Sequence, residues 1–266
     1  MKSLIGQLQR VVSRYRFAVS CAVKLRNQCD MLIGYHLGED HRQEYNGESA
    51  LLKLVGASCH SFIDVGANVG DWTGLFLETG SKCGLLIEPS ASAISRLQAR
   101  FAKHTQLGLI HAAASDISGE MTFYDQGKAG EMSSLVATTE GEPTLVRVTT
   151  VDEEAANHGL ESVDFLKIDA EGYDLHVLRG AVELLGKQRV GIVQFEYGAS
   201  WAGAGSTLAA AIALLEGFGY LTFLLRTTGL HPYPYPKYGE FFSCSNFVGV
   251  SERQLPLVKS MLRHAI

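Results

Sequence analysis

Two stretches of the chain hold the side chains best suited to chemistry. The first is FIDVGANVGDW, residues 62–72, in which an apolar run carrying Asp64 leads into a turn with Gly66, Asn68 and Gly70. The second acid of interest is Glu88, which closes the apolar run CGLLIE 18 residues after Gly70. In an open α/β sheet, ligands sit beyond the carboxyl ends of the strands. A carboxylate ending the second strand is placed to accept from both hydroxyls of a ribose. The turn reads GANVG and not GxGxxG. A pyrophosphate wants exposed N–H groups without an extra carboxylate nearby, and Asp64 suits an ammonium or sulfonium better. S-adenosylmethionine carries both cations and a ribose. A simple turn cap at Asp64 and a packing role for Gly70 are the structural alternatives.

The other stretch is LKIDAEGYDLHVLRGA, residues 166–181. Lys167 and Asp169 fall on one face of what reads as a buried parallel strand, and Glu171 follows in the turn. Acids at a strand end and helix start can be plain N-terminal caps. A lysine inside a central strand is harder to dismiss, because an unpaired buried charge is costly. Asp169, Glu171 or Glu196 would relieve it. Glu196 ends the next apolar run, VGIVQFEYG, so several acids gather at adjacent strand ends.

The elements that must position these residues alternate along the chain. FIDVGA, CGLLIEP and LGLIHAAAS read as strands, separated by the helical DWTGLFLETG and ASAISRLQARFAKH. This is the pattern of right-handed βαβ units and a parallel sheet. Residues 119–152 break it with short alternating segments, which predicts a β-rich insertion. Alternation resumes with VDFLKIDAEG, a helix, VGIVQFEYG, a helix from about 206 to 218, YLTFLLR and FSCSNFVGVS. HPYPYPKYGEF reads as a stiff aromatic loop before the last strand. His231, Tyr233 and Tyr235 there, and Trp201 in GASWAGAGS, are candidate walls of a second-substrate site. His176 reads as a packed or surface histidine, while His60 and His111, which flank strands, could be that or catalytic.

Length and composition bound the rest. A chain of 266 residues with 46% hydrophobic side chains suits one large α/β domain with an appendage. The net charge of −5 excludes an overall basic footprint for nucleic acid. The five cysteines form no CxxC pair, which suits reduced thiols in the cytoplasm. The first 28 residues carry Lys2, Arg10, Arg14, Arg16, Lys24 and Arg26 and no acid. Their apolar residues recur with helical spacing. The reading is a basic amphipathic helix, neither a secretory signal nor a membrane span. It packs on the main domain or a second subunit, or touches an anionic membrane surface peripherally. The expected division is a helical extension and linker over 1–55 and a catalytic domain over 56–266.

FIDVGANVGDWT, IEPS, TTVD, DFLKIDAEGYDLHVLRGA and FEY, in that order, resemble the FkbM family of S-adenosylmethionine-dependent methyltransferases. The resemblance runs from about residue 60 to 250. It implies a class I methyltransferase (Rossmann-like) fold with a seven-stranded, mostly parallel sheet, and O-methylation of a hydroxyl on a sugar, glycan or natural product. It implies cofactor contacts from Asp64, Gly66, Asn68, Gly70, Glu88 and Pro89, with Ala113, Ala114 and Ser115 flanking adenine. Met132, Ser133, Ser134 and Leu135 resemble the family's serine-containing loop. For such a reaction the hydroxyl proton must leave. Asp169, Glu171 and Glu196 are candidates for general base or for ligands of a divalent ion such as Mg2+, with Lys167 tuning them. Two rivals stand beside this reading. A nicotinamide-dependent oxidoreductase predicts a GxGxxG turn, and a non-catalytic nucleoside-binding module predicts loss of the acids.

Overall fold

The structure is a computed structural model and describes residues 2–38, 46–80, 83–125, 134–136 and 142–266. Residues Met1–Gly38 and Glu39–Ile266 form two compact units. The first holds α1 (Lys2–Val12) and α2 (Arg16–Leu37), so the basic segment reads as two helices broken at 13–15.

The second unit begins with α3 (Glu48–Val55) and continues as β1 (Ser61–Val65), α4 (Asp71–Glu78), β2 (Cys83–Glu88), α5 (Ala91–Arg100) and β3 (Leu107–His111). After a side sheet it resumes with β7 (Val163–Ile168), α7 (Asp174–Arg179), α8 (Val182–Gly186), β8 (Val190–Tyr197), α9 (Ser200–Gly203), α10 (Leu208–Gly217) and β9 (Tyr220–Arg226). It ends with β10 (Gly229–Pro232), α11 (Tyr235–Tyr238), β11 (Ser245–Ser251) and α12 (Leu255–Val258). The main sheet runs β10-β9-β11-β8-β7-β1-β2-β3. β3, β2, β1, β7 and β8 pair in parallel, and β11, β9 and β10 extend the sheet antiparallel. Strand order reverses between β1 and β7, which is where an open sheet of this kind leaves a crevice.

The sheet has eight strands, not the expected seven. The extra one is β10, because residues 229–232 fold back on β9 instead of starting a loop. As an edge strand it tolerates Pro232, whose missing N–H has no neighbour to serve. The β-rich insertion is a separate sheet, β4 (Ala113–Ala114), β6 (Glu142–Thr149) and β5 (Gly119–Asp125). Of the serine-containing loop, Met132 and Ser133 lie outside the described residues.

Register explains the polar exceptions in apolar strands. Phe62 lies beside Phe165 and Asp64 beside Lys167 across β1 and β7, and Lys167 lies beside Gln194 on β8. Side chains alternate across a strand, so Phe62 and Asp64 share the face covered by α4. Phe62, Trp72, Phe76 and Phe165 pack there with ring centroids 4.9–5.9 Å apart. Above this apolar floor the same face continues as a polar row of Asp64, Lys167 and Gln194, all buried. One step further toward the strand ends come Asp169, Glu196 and Asn246, the last two side by side across β8 and β11.

Gly70 starts α4 with φ +83°, and a Cβ there would run into Phe101 and Leu97 of the α5 region. Gly70→Ala should lower stability by about 2–4 kcal/mol, combining left-handed strain with overpacking. Chemical denaturation checks this, and an unchanged midpoint would remove the packing role.

Candidate active site

A cavity of about 840 Å³ opens at the strand-order reversal. One end is a slot walled by Ile87, Pro89, Ala113, Ala114, Phe123 and Leu135, and the other is lined by Asn46, Glu48, Lys167, Asp169, Glu171, Glu196, Cys244 and Asn246. Gly66, Ala67, Asn68 and Val69 run along the wall between them.

The β2 end is built around Glu88. Its carboxylate accepts from the backbone N–H of Asn68 and of Ser90, each at 2.8 Å. Asn68 reaches this position with φ +47°, a left-handed turn that asparagine tolerates better than most residues. Burial drives the Glu88 pKa up to about 7 against those two donors. Each carboxylate oxygen keeps further acceptor capacity for a ligand hydroxyl. Pro89 is steadied from below, where its carbonyl lies 3.0 Å from His111 Nε2.

The β7 end is built around Lys167. Its Nζ lies 3.2 Å from Asp169 Oδ2, 3.5 Å from Asp64 Oδ1 and 3.5 Å from the carbonyl of Gly66. Burial opposes its charge, but Asp169, Asp64 and Glu48 outweigh it and push the pKa upward. Asp64 has its own pKa raised by full burial, while its Oδ2 accepts from Thr73 Oγ1 at 2.6 Å. Asp64 is absent from the cavity wall. It anchors Lys167 and α4 from behind the glycine turn. Gly66 explains how: a Cβ there would strike the carbonyl of Asp169, so the turn packs directly on the end of β7.

Glu196 stands beside Asp169 on the cavity wall, and Cys244 Sγ donates to its Oε1 at 2.8 Å. Burial first, then the Asp169 charge, raise its pKa well above the usual carboxylate range. Glu171 sits at φ +48°, and its carbonyl accepts from Ser134 Oγ at 2.7 Å. This bond ties the serine segment to the acid turn. Behind the turn, Asp174 is fully buried and accepts from the N–H of Gly172 and of Glu196, both at 3.2 Å. Its pKa rises to about 7, again through burial.

The remaining sequence candidates divide clearly. Gly70 and Ser115 lie off the cavity wall, Gly70 packed against Phe101 and Ser115 Oγ turned to Asp116. Trp201 is buried, packed on Phe195 and Tyr197, and its Nε1–H donates to the Glu196 carbonyl. His231, Tyr233 and Tyr235 are also off the wall. His231 lies against Thr228 and the His264 carbonyl, and the tyrosine hydroxyls donate to the Gly239 carbonyl and Glu240. The aromatic segment thus knits itself to Glu240, while the neighbouring Phe242 and Cys244 reach the cavity. His176 stacks on Tyr173. Among the described residues, no three His, Cys, Asp or Glu side chains are arranged to hold a metal ion.

Asn46, Glu48 and Asn246 escaped the sequence reading. Glu48 accepts from Asn46 Nδ2 at 2.6 Å and from Gln194 Nε2, and Gln194 also donates to Asn246 Oδ1 at 3.1 Å. Gln194 and Asn246 interrupt apolar strands as Lys167 does, so that signal was present. Nothing near Glu48 in the sequence marks it.

Residues 64–222, more than half of the chain, match the methyltransferase FkbM domain. The chain belongs to the FkbM family. The matched domain is a methyltransferase domain, which argues against the nicotinamide-dependent reading. The chain is similar to the 2-O-methyltransferase NoeI of Sinorhizobium fredii, with 25% identity over 144 residues, 48% of this chain and 59% of that protein. The chain thus matches about three fifths of the length of that curated relative. Among solved structures it is similar to an FkbM methyltransferase from Methylobacillus flagellatus KT, with 14% identity and a TM-score of 0.47 over 71% of this chain and 43% of that one. It is also similar to the N-methyltransferase NodS from Bradyrhizobium japonicum WM9, with 11% identity and a TM-score of 0.42 over 76% and 93%.

The FkbM fold implies S-adenosylmethionine, and the cavity's donor set fits it. An apolar slot suits adenine. Glu88 suits the ribose diol, and the carboxylate-lined end suits a sulfonium and an ammonium. Hydroxyls donating to Glu88 favour its ionised form, so ligand binding should release a proton. With a free pKa of about 7, affinity should fall as pH drops through that value, to about tenfold weaker at pH 6 than at pH 8. Calorimetry on the wild type and Glu88→Gln checks this. The variant should lack the dependence, and subtracting its profile removes the ligand's own titration. Parallel profiles would sever Glu88 from the ribose.

Proposed function

We propose that the protein transfers a methyl group from S-adenosylmethionine to a hydroxyl oxygen of a neutral, sugar-like acceptor, with Asp169 taking the hydroxyl proton. The observation that carries this reading is the placement of Asp169. It lies on the cavity wall with Glu196, paired with Lys167 at 3.2 Å. When bound, the cofactor supplies an electrophilic methyl group on a positively charged sulfur. The residues then have distinct duties. Lys167 and Glu196 hold the Asp169 carboxylate in one orientation, and orientation alone can supply several kcal/mol in a displacement. A positioned carboxylate contributes typically 10²–10⁴-fold as general base.

The acceptor class follows from charge. Glu48, Asp169, Glu171 and Glu196 line the far end of the cavity, and among the described lining residues Lys167 is the one cation against them. An acceptor with a phosphate or carboxylate beside the reacting hydroxyl would be repelled. A neutral polyol meets carboxylates that accept and the amides of Asn46 and Asn246, which do both. The name of NoeI, a 2-O-methyltransferase, supports oxygen as the target atom.

Asp169→Asn should lower kcat by 10²-fold or more while leaving cofactor affinity within a few-fold. Glu196→Gln keeps a donor toward Asp169 and should cost less than tenfold. Mass spectrometry of neutral glycans incubated with enzyme and cofactor, scored for a gain of one methylene, supplies the assay. The reverse ranking would make Glu196 the base, and a folded wild type that binds cofactor but methylates no hydroxyl would overturn the reading.

A further inference from the structure

Residues 2–38 lie outside everything the catalytic cavity requires, and their surface has a chemistry of its own. On α1, Ile5, Leu8, Val11 and Val12 fall within about 120° of the helix circumference at 100° per residue, and all four are exposed. Arg10 lies on the opposite side of that arc. At the break between the helices, Tyr15 and Phe17 are 66% and 81% exposed, flanked by Arg14 and Arg16. On α2, Val19, Val23, Leu25, Leu32 and Tyr35 are exposed as well, with Lys24 and Arg26 between them. The first acid in the chain is Asp30, which pairs with Arg26 at 3.6 Å. A run of exposed aliphatic and aromatic side chains is unfavourable in water and marks an interaction surface.

We propose that this unit docks the enzyme on an anionic lipid surface, with the α1 stripe, Tyr15 and Phe17 entering the headgroup region and Arg14 and Arg16 beside them meeting lipid phosphates. Apolar residues interleaved with arginine and free of acids are what such a surface selects. Tyrosine suits the boundary because it has an apolar body and a polar tip. A second copy of the chain is a poorer occupant. The α1 stripe covers only three turns, the apolar residues of α2 are scattered round its circumference, and pairing two such units would bring like charges together. Spanning is a different matter: no described helix is long and apolar enough to cross a membrane. The net charge of −5 for the whole chain, despite this basic start, means that the remainder would be repelled by the same surface. Attraction would therefore be confined to the helical unit and would orient it.

The test is flotation of the full chain with vesicles of phosphatidylcholine alone or with about a third phosphatidylserine. Binding should require the anionic lipid and weaken as salt rises. Arg14→Gln with Arg16→Gln should weaken it about 30-fold, following the typical gain per basic residue at such a surface. Leu8→Gln with Phe17→Gln should abolish it. Cofactor affinity of both variants should match the wild type, which shows that the catalytic unit is intact. Three results would overturn the proposal: equal binding to neutral vesicles, no binding to either, or a dimer in light scattering that the Leu8→Gln, Phe17→Gln variant loses. The last would assign the surface to a second copy.

Discussion

One buried ammonium organises the molecule. Lys167 sits one residue before the end of the central strand β7, where parallel sheets ordinarily place aliphatic side chains. Its charge is tolerable there only because Asp64, Asp169 and the Gly66 carbonyl surround it. Removing one partner of a buried pair leaves an uncompensated charge, which typically costs 3–5 kcal/mol. The register that sets Asp64 beside Lys167 is therefore held by electrostatics as well as by the Phe62 and Phe165 rings below it. A slip of one residue would send every side chain of the strand to the opposite face.

From this pair the cavity acquires its two unlike ends. Gly66 lets the turn after β1 rest on the Asp169 carbonyl, which fixes the distance between the glycine wall and the acid. Ser134 reaches from the side sheet to the Glu171 carbonyl, and Asp174 binds the backbone of both Gly172 and Glu196. The acid turn is thus held from three directions, by side chains remote from one another in sequence. Such a frame matters because displacement chemistry is sensitive to placement at the level of an ångström.

The carboxyl pKa values of Glu88 and Glu196 are both pushed up by burial, but the two groups meet different partners. Glu88 is brought to about 7 by burial partly offset by two backbone donors. Glu196 is raised by burial first and then by the Asp169 charge beside it. Groups of the same type acquire different duties through their surroundings, with Lys167 as the shared counter-charge. The helical unit of residues 1–38 follows another logic, in which the absence of acids before Asp30 matters more than any contact.

Much of this was legible in the residues themselves. The alternation of strands and helices, the glycine turn, Glu88 and the KIDAEG signature follow from local rules of periodicity and turn chemistry, and they carried the fold and the family. The polar residues inside apolar strands, Lys167 foremost, announced a site because burial of a charge demands a partner. Tertiary structure alone decided which partner. Asp64, whose sequence position suggests a ligand group, turns inward to Lys167 and Thr73, since the strand's two-residue period gives it the α4 face. Gly70 meets Phe101, a contact made by the next βα unit. Glu48 joins the cavity from a helix before β1, and no local pattern encodes a hydrogen bond to Gln194 across 146 residues. Tyr233 and Tyr235 looked like walls of a second-substrate site by composition, yet β10 folds back on β9 through a two-residue turn and their hydroxyls go to the Gly239 carbonyl and Glu240, contacts that composition does not encode.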